Sequence, residues 1–130
     1  MSYRDLEIYQ TAFDLAIRVH KLSLRLPSFE KYEQGSQVRR SSKSIKDLIV
    51  EGYGRRKYKA EFIKFLIYAQ SSCDECTGQI ETIIELYPKQ NEWLELLEKY
   101  DTLGKQINSF IRYVENNWKT KTIAPFNKKV

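Results

Sequence analysis

The chain has 130 residues, enough for one domain with a hydrophobic core, so its fold requires neither a disulfide nor a bound metal. Hydrophobic residues make up 42% of it, yet no apolar run approaches the roughly 20 residues that a membrane-spanning helix requires. The first ten residues contain Arg4, Asp5 and Glu7, which argues against a signal peptide, and we expect a soluble protein of the cytoplasm. The net charge of +5 favours acidic partners such as nucleic acid.

The first predicted helix covers residues 5–26, because apolar residues recur there alternately four and three positions apart. Its inner line is Ile8, Ala12, Leu15, Val19, Leu22 and Leu26. A second apolar line contains Leu6, Tyr9, Phe13, Ile17, His20 and Leu24. Two such lines are more than one bundle interface requires. Pro27 is expected to end the helix, because the residue before a proline avoids the α conformation.

The second predicted helix covers residues 36–52. Its inner line is Val38, Ser41, Ile45 and Leu48. Ser36 is predicted to be the N-cap, since a serine hydroxyl can accept a hydrogen bond from a first-turn amide. Gly52 and Gly54 are predicted to form the exit of the helix, where a left-handed conformation is often needed.

Two longer helices of about 28 residues each are predicted next from the same spacing. The third has the inner line Phe62, Leu66, Ala69, Cys73, Cys76, Ile80, Ile83 and Tyr87. The fourth has the inner line Trp93, Leu97, Tyr100, Gly104, Ile107, Ile111, Val114 and Trp118. Pro88 separates the two helices, and Asn91 is the predicted N-cap of the fourth.

Short connections make consecutive helices antiparallel neighbours, so the sequence predicts an all-α, antiparallel up-and-down four-helix bundle with long third and fourth helices. We assign the bundle to residues 1–118. Residues 119–130 contain four lysines and no acidic residue, and we expect them to be a basic, flexible C-terminal tail.

Cys73 and Cys76 form a Cys-x-x-Cys pair in the middle of the third helix. Redox sites place this motif at a helix N-terminus, and a zinc site needs a second pair of ligands. We interpret both thiols as small core residues, with redox or metal chemistry as the alternative. His20 is interpreted as a packed or interface residue, and the step from Gly52 to Arg55 lacks the ending of a phosphate-binding loop. We expect no catalytic residue, no metal ligand and no cofactor.

A basic cluster lies on the second helix and in the connection to the third. Arginine and lysine bind phosphate, and interleaved tyrosines can stack on unpaired bases, whereas a solvated charged face is the alternative. The candidate nucleic-acid-binding residues are Arg39, Arg40, Lys43, Lys46, Arg55, Arg56, Lys57, Lys59, Lys64, Tyr53 and Tyr58.

Residues 36–55 read SQVRRSSKSIKDLIVEGYGR, and this stretch resembles the four-helix-bundle proteins encoded in intervening sequences of bacterial large-subunit ribosomal RNA. Its most specific part is Gln37-x-Arg39-Arg40, followed by Ser44-Ile45 and by Glu51-Gly52-x-Gly54-Arg55. That family is also similar to the accessory variability determinant of diversity-generating retroelements. The resemblance implies a ring-like homopentamer without enzyme activity or cofactor, whose partner is structured RNA or an RNA-associated protein such as a reverse transcriptase.

Three functions are therefore compared. The favoured one is a non-enzymatic, oligomeric protein that binds RNA or another polyanion through the basic cluster, with the second apolar line of the first helix covered by another copy. The alternative is a structural or protein-interaction scaffold without a nucleic-acid role. The third is a redox or metal protein that uses Cys73 and Cys76.

Overall fold

A computed structural model describes residues 1–119 of the protein. It contains four antiparallel helices. The helices are α1 (Glu7–Ser23), α2 (Gln34–Gly54), α3 (Lys59–Leu86) and α4 (Glu92–Asn117). Two short 3-10 helices, Tyr3–Asp5 and Ser28–Tyr32, precede α1 and α2. Residues 1–119 contain no strand, and the all-α up-and-down bundle predicted from the sequence is confirmed.

The core runs along the bundle axis, where one face of each helix meets its neighbours. Trp93 and Phe62 are among its largest fully buried side chains. The predicted inner positions of α3 are all buried from Phe62 to Ile83, including Cys73 and Cys76. Each large apolar side chain buried in this way contributes roughly 1.5–3 kcal/mol relative to leaving it exposed. The seams predicted from the 3.6-residue period are therefore what hold the helices together.

Small polar side chains line the contact between α2 and α3, which is the most extensive helix pair of the bundle. The Ser41 hydroxyl donates to Oε1 of Gln79 at 2.6 Å. The hydroxyls of Ser44 and Ser72 lie 3.1 Å apart. Serines let the two helices approach closely, and these bonds avoid the cost of leaving a buried hydroxyl unpaired.

The prediction that Ser36 caps α2 is wrong. The helix begins at Gln34 with Glu33 in the N-cap position, and no side chain caps it. It starts earlier because the Gln37 amide already donates to the Glu33 carbonyl at 3.0 Å. Asn91 is the N-cap residue of α4, as predicted, but its side chain makes no capping hydrogen bond.

Two predicted helix exits also differ from the structure. The first helix ends at Ser23, well before Pro27, which instead is the N-cap of the following 3-10 helix. Gly52 and Gly54 belong to α2, and neither has a positive φ. Gly52 is needed for packing: a Cβ on it would lie 3.0 Å from the Cβ of Phe65 in α3.

The buried face of α4 is wider than the predicted line, of which Trp93, Tyr100, Ile107, Ile111 and Val114 are buried. Leu96 and Leu103 are buried, whereas Leu97 and Gly104, which the prediction placed inside, are only partly covered. This helix packs against α3 on one side and α1 on the other, so its buried face is wider than one line of residues.

The second apolar line of the first helix is half open to solvent, because Leu6 is buried and Tyr9 and His20 are partly covered. Phe13, Ile17 and Leu24 are 42%, 40% and 48% exposed. This is consistent with the prediction that α1 carries more apolar surface than one bundle covers.

No helix within residues 1–119 combines the length and the hydropathy needed to cross a bilayer. The predicted tail lies outside the described residues, except for Lys119.

Candidate nucleic-acid interface

The candidate residues lie in two groups at different heights of the bundle. The α2 group comprises Arg39, Arg40, Lys43 and Lys46 on the first half of α2. The turn group comprises Tyr53, Arg55, Arg56, Lys57, Tyr58, Lys59 and Lys64, around the connection of α2 to α3. At a rise of about 1.5 Å per residue, Arg39 and Arg55 are separated by roughly 24 Å along the helix, whereas Lys46 and Tyr53 are separated by roughly 10 Å. The two groups therefore occupy successive levels of the bundle.

Arg39 is a structural residue of the α1–α2 connection. Its Nη1 donates to Oγ of Ser23 at 2.9 Å, and its Nη2 donates to the carbonyl of Lys31 at 2.6 Å. Ser23 is the last residue of α1, and Lys31 belongs to the segment that links α1 to α2. The guanidinium is thus already paired inside the bundle, so Arg39 contributes less to an outer surface than the sequence predicts.

Lys43 and Lys46 also have partners within the chain. The Nζ of Lys43 lies 3.0 Å from Nδ1 of His20 in α1. Partial burial lowers the pKa of His20, and the charges of Lys43 and Arg39 lower it further. Lys46 pairs with Asp47 at 2.7 Å. Arg40, in contrast, has its guanidinium only near the hydroxyl of Ser36, at 3.4 Å, so it is the residue of the α2 group that is most open to a ligand.

Arg55 is held between two carboxylates. Its guanidinium pairs with Glu51 at 3.4 Å and with Glu61 at 3.2 Å. It also lies over the ring of Phe65, 4.6 Å from the centroid. Each exposed ion pair is worth little by itself, but together these contacts fix the direction of the side chain. They also reduce the positive charge that Arg55 offers to a ligand.

Arg56 joins the turn to two helices. Its guanidinium lies 4.1 Å from the ring centroid of Tyr53, and its Nη1 donates to the Tyr53 carbonyl at 2.9 Å. The carbonyl of Arg56 accepts a hydrogen bond from Nε1 of Trp118 at 3.3 Å. Trp118 in turn packs edge-on against Phe62, with centroids 5.1 Å apart. The turn is therefore anchored both to α2 and to the end of α4.

Lys59 caps the end of α4. Its Nζ donates to the carbonyl of Glu115 at 2.7 Å. The last carbonyls of a helix carry partial negative charge, which a nearby cation stabilises. Lys59 is thus a link between α3 and α4, in addition to being part of the turn group.

Lys57, Tyr58 and Lys64 are the outward-facing members of the turn group. All three are exposed. Lys64 has a distant ion pair with Glu61 at 3.8 Å, while Lys57 has no carboxylate within ion-pair distance among residues 1–119. The structure thus separates cations that stabilise the turn from cations that remain available to a ligand.

The two cysteines lie in the core, as predicted. Cys73 Sγ donates to the carbonyl of Tyr100 at 3.5 Å. The pKa of Cys73 is raised to about 12 and the pKa of Cys76 to about 11, mainly because both thiols are buried. A buried thiol with a raised pKa is a poor nucleophile and a poor metal ligand. Among the described residues, no group of three or more histidine, cysteine or acidic side chains could hold a metal ion.

A groove lies between the start of α1 and the second half of α4. Its volume is about 520 Å³, and Leu6, Ile8 and Phe110 form its apolar floor. A second groove, of about 250 Å³, lies further along the same pair of helices between Leu22 and Leu96. The seam between α1 and α4 thus has two grooves, and these helices share the least extensive contact of the neighbouring helix pairs.

Comparison with protein families gives a match over residues 4–109 to the family model described as "23S rRNA-intervening sequence protein". The chain belongs to this family. The match includes α1, α2, α3 and both groups of candidate residues, so the resemblance found in residues 36–55 is confirmed. A comparison with curated proteins gives no match.

The fold of this 23S rRNA-intervening sequence protein is similar to a solved structure. That crystal structure is of a protein of unknown function from the S23 ribosomal protein family of Bacteroides thetaiotaomicron. The TM-score is 0.69 at 21% sequence identity, and the match covers 81% of this chain and 98% of the other. At this identity the similarity establishes the shared bundle fold.

Several residues that shape the turn of this 23S rRNA-intervening sequence protein are not among those predicted from the sequence. Glu51 could have been found, since it lies four residues before Arg55, the spacing of a helix ion pair. The roles of Trp118 and Glu115 could not have been found, because both residues contact the turn from the end of α4. Spacing along the sequence does not reveal contacts between distant segments.

Proposed function

We propose that this chain is a non-enzymatic, oligomeric protein that binds RNA or another polyanion at the α2–α3 turn. The observation that carries the proposal is the turn group itself. Within residues 55–64 there are five cations and one acid, Glu61. A cluster of exposed cations on a fixed turn attracts phosphate groups and releases their counterions on binding.

The anchored arginines also support this proposal, although Glu51 and Glu61 reduce the charge that Arg55 offers to a ligand. Arg55 and Arg56 keep their charge in their contacts, and Tyr53 and Phe65 fix their positions. A polyanion that meets a preordered cationic surface loses less side-chain entropy on binding. Membership of a family whose description refers to 23S rRNA supports RNA as the polyanion.

Self-association is the second part of the proposal. The open apolar line of α1 contains Phe13, Ile17 and Leu24. A contiguous apolar strip on a helix marks an interaction surface, and another copy of the chain is the partner that the resemblance implies, as a homopentamer. Several turn groups in one assembly would bind a long polyanion more tightly through avidity.

The RNA proposal is tested by fluorescence anisotropy with a labelled structured RNA at several salt concentrations. The Lys57→Gln/Lys64→Gln variant is expected to bind more weakly and with a shallower salt dependence, the slope falling by about 0.7–0.9 for each phosphate that is no longer neutralised. The matched control is Lys99→Gln/Lys105→Gln, which removes the same charge from exposed positions on α4. Equal weakening by both variants, or no binding at low salt, contradicts the proposal.

Light scattering tests the assembly. We expect a mass about five times the 15.5 kDa of one chain. Ile17→Lys is expected to lower this mass, whereas Ile67→Lys, at a similarly exposed position on α3, is the matched control. A monomer in the unsubstituted protein contradicts the assembly. Assembly without any RNA affinity instead favours the scaffold function.

A further inference from the structure

Tyr58 presents its ring to solvent at the turn between α2 and α3. It is the N-cap residue of α3, and its side chain is 58% exposed. The amide of Tyr58 donates to the carbonyl of Arg55 at 2.8 Å, and the carbonyl of Tyr58 accepts from the amide of Phe62 at 3.0 Å. The backbone that carries the ring is thus fixed on both sides, while more than half of the residue's surface is exposed.

Tyr53, the other tyrosine predicted to stack on bases, cannot do so in this structure. Its side chain is only 4% exposed. The guanidinium of Arg56 covers its face at 4.1 Å, and the ring of Phe62 lies edge-on with centroids 6.1 Å apart. Of the two candidate tyrosines, only Tyr58 has a ring face open to a ligand.

Positive charge lies beside the Tyr58 ring. The Nζ of Lys57 lies 5.8 Å from the ring centroid, and Arg56 is exposed one residue further back. Residues 55–60 contain no acidic residue. A nucleobase that stacks on this ring carries its own phosphates, and these lie within reach of the same cations.

We propose that Tyr58 is a stacking platform for an unpaired nucleotide, so that the turn binds single-stranded or looped RNA in preference to duplex RNA. The inference rests on the proposed function and specifies its substrate class. Bases inside an A-form duplex are stacked on each other, and an external ring cannot reach their faces. An unpaired base can leave its neighbours and stack on tyrosine, with its phosphates on Lys57 and Arg56.

The test compares two labelled RNAs of equal length, an unstructured single strand and a blunt duplex, at one salt concentration. Tyr58→Ala is expected to weaken binding of the single strand by about fivefold or more and to leave the duplex unchanged within about twofold. Tyr58→Phe keeps the ring, so its affinity should match the unsubstituted chain. Tyr32→Ala, which removes an 85% exposed ring at the other end of α2, is the matched control.

The outcomes separate this inference from the proposed function. If the unsubstituted chain binds RNA and the Tyr58→Ala variant binds both RNAs with the same affinity as the unsubstituted chain, the stacking role is wrong and the polyanion function stands. Equal weakening for both RNAs also overturns the selectivity. If neither RNA binds, the proposed function fails, and this inference fails with it. Circular dichroism of each variant excludes loss of fold as the cause.

Discussion

The Nζ atom of Lys43 lies 3.0 Å from Nδ1 of His20, which joins α2 to the last turn of α1. An ammonium group has only donors, so Nδ1 of His20 accepts this hydrogen bond and the imidazole is neutral. The pKa of His20 is lowered from its usual 6.5, mainly by partial burial and further by the positive charges of Lys43 and Arg39. Protonation of His20 would replace this hydrogen bond by repulsion between two cations.

The first prediction concerns pH. Because the folded pKa of His20 lies below its unfolded value, the unfolded chain takes up more protons in acid. The stabilisation is fully present above the usual pKa of 6.5 and is lost as the pH falls through the folded pKa. The free energy of unfolding in urea, measured between about pH 5 and pH 8, should fall as the pH is lowered. The His20→Gln variant keeps a hydrogen-bond acceptor but cannot titrate, so its free energy of unfolding should fall less. The same acid dependence in both proteins would contradict the assignment to His20.

Gly35 is predicted to be intolerant of a side chain. A Cβ at this position would lie 2.9 Å from both Nη1 of Arg39 and the backbone carbonyl oxygen of Glu30. Alanine there should lower the free energy of unfolding by about 1–3 kcal/mol, because the backbone of Glu30 has to move. Gly78→Ala is the matched control: nothing lies within 4 Å of its Cβ position in α3, and removing a helical glycine should stabilise by about 0.5–1 kcal/mol. Equal effects in urea unfolding would contradict the steric explanation.

The neighbouring arginines of α2 should respond differently to substitution. Arg39→Ala removes the hydrogen bonds to Ser23 and to the Lys31 carbonyl, and should cost about 1–2 kcal/mol of stability. Arg40→Ala removes a side chain without such internal partners and should change stability by less than about 0.5 kcal/mol. Thermal unfolding of the two variants checks this. A larger loss for Arg40→Ala than for Arg39→Ala would reverse the structural assignment.

The thiols are predicted to be inert in the folded protein. Cys73 and Cys76 are buried, with pKa values raised to about 12 and about 11, so little thiolate forms at neutral pH. A colorimetric disulfide reagent at about pH 8 should therefore react slowly with the native chain and fully with both thiols in denaturant. Rapid reaction of either thiol in the native protein would contradict this prediction and favour the redox function.

The sequence was sufficient for the helices and most of the core. The seam of α3 follows one period without interruption, so each inner residue from Phe62 to Ile83 could be placed. In α4, apolar residues occupy adjacent positions at 96 and 97, and the period alone cannot decide between them. The structure buries Leu96 and leaves Leu97 partly covered. The N-cap prediction for Ser36 is wrong because it uses a local side-chain preference, whereas the backbone is already helical at Gln34 and the Gln37 amide donates to the Glu33 carbonyl.

The candidate site was only partly predictable. Clustering along the chain identified the turn group, since neighbouring residues remain neighbours in a tight turn. It could not show that Arg39 points into the α1–α2 connection, or that Arg56 covers Tyr53. Both facts depend on residues distant in sequence, or on side-chain directions that spacing does not specify. Composition counts every cation, whereas the structure shows which of them already have an internal partner.

The serine contacts between α2 and α3 have a consequence for the order in which the bundle assembles. These helices are consecutive and joined by a tight turn, so their hairpin closes with a small loss of chain entropy. Closing the grooved seam between α1 and α4 instead brings together the most distant parts of the chain. During synthesis, α1 therefore emerges first but must wait for its final neighbour, and native hydrogen exchange should be slowest in α2 and α3.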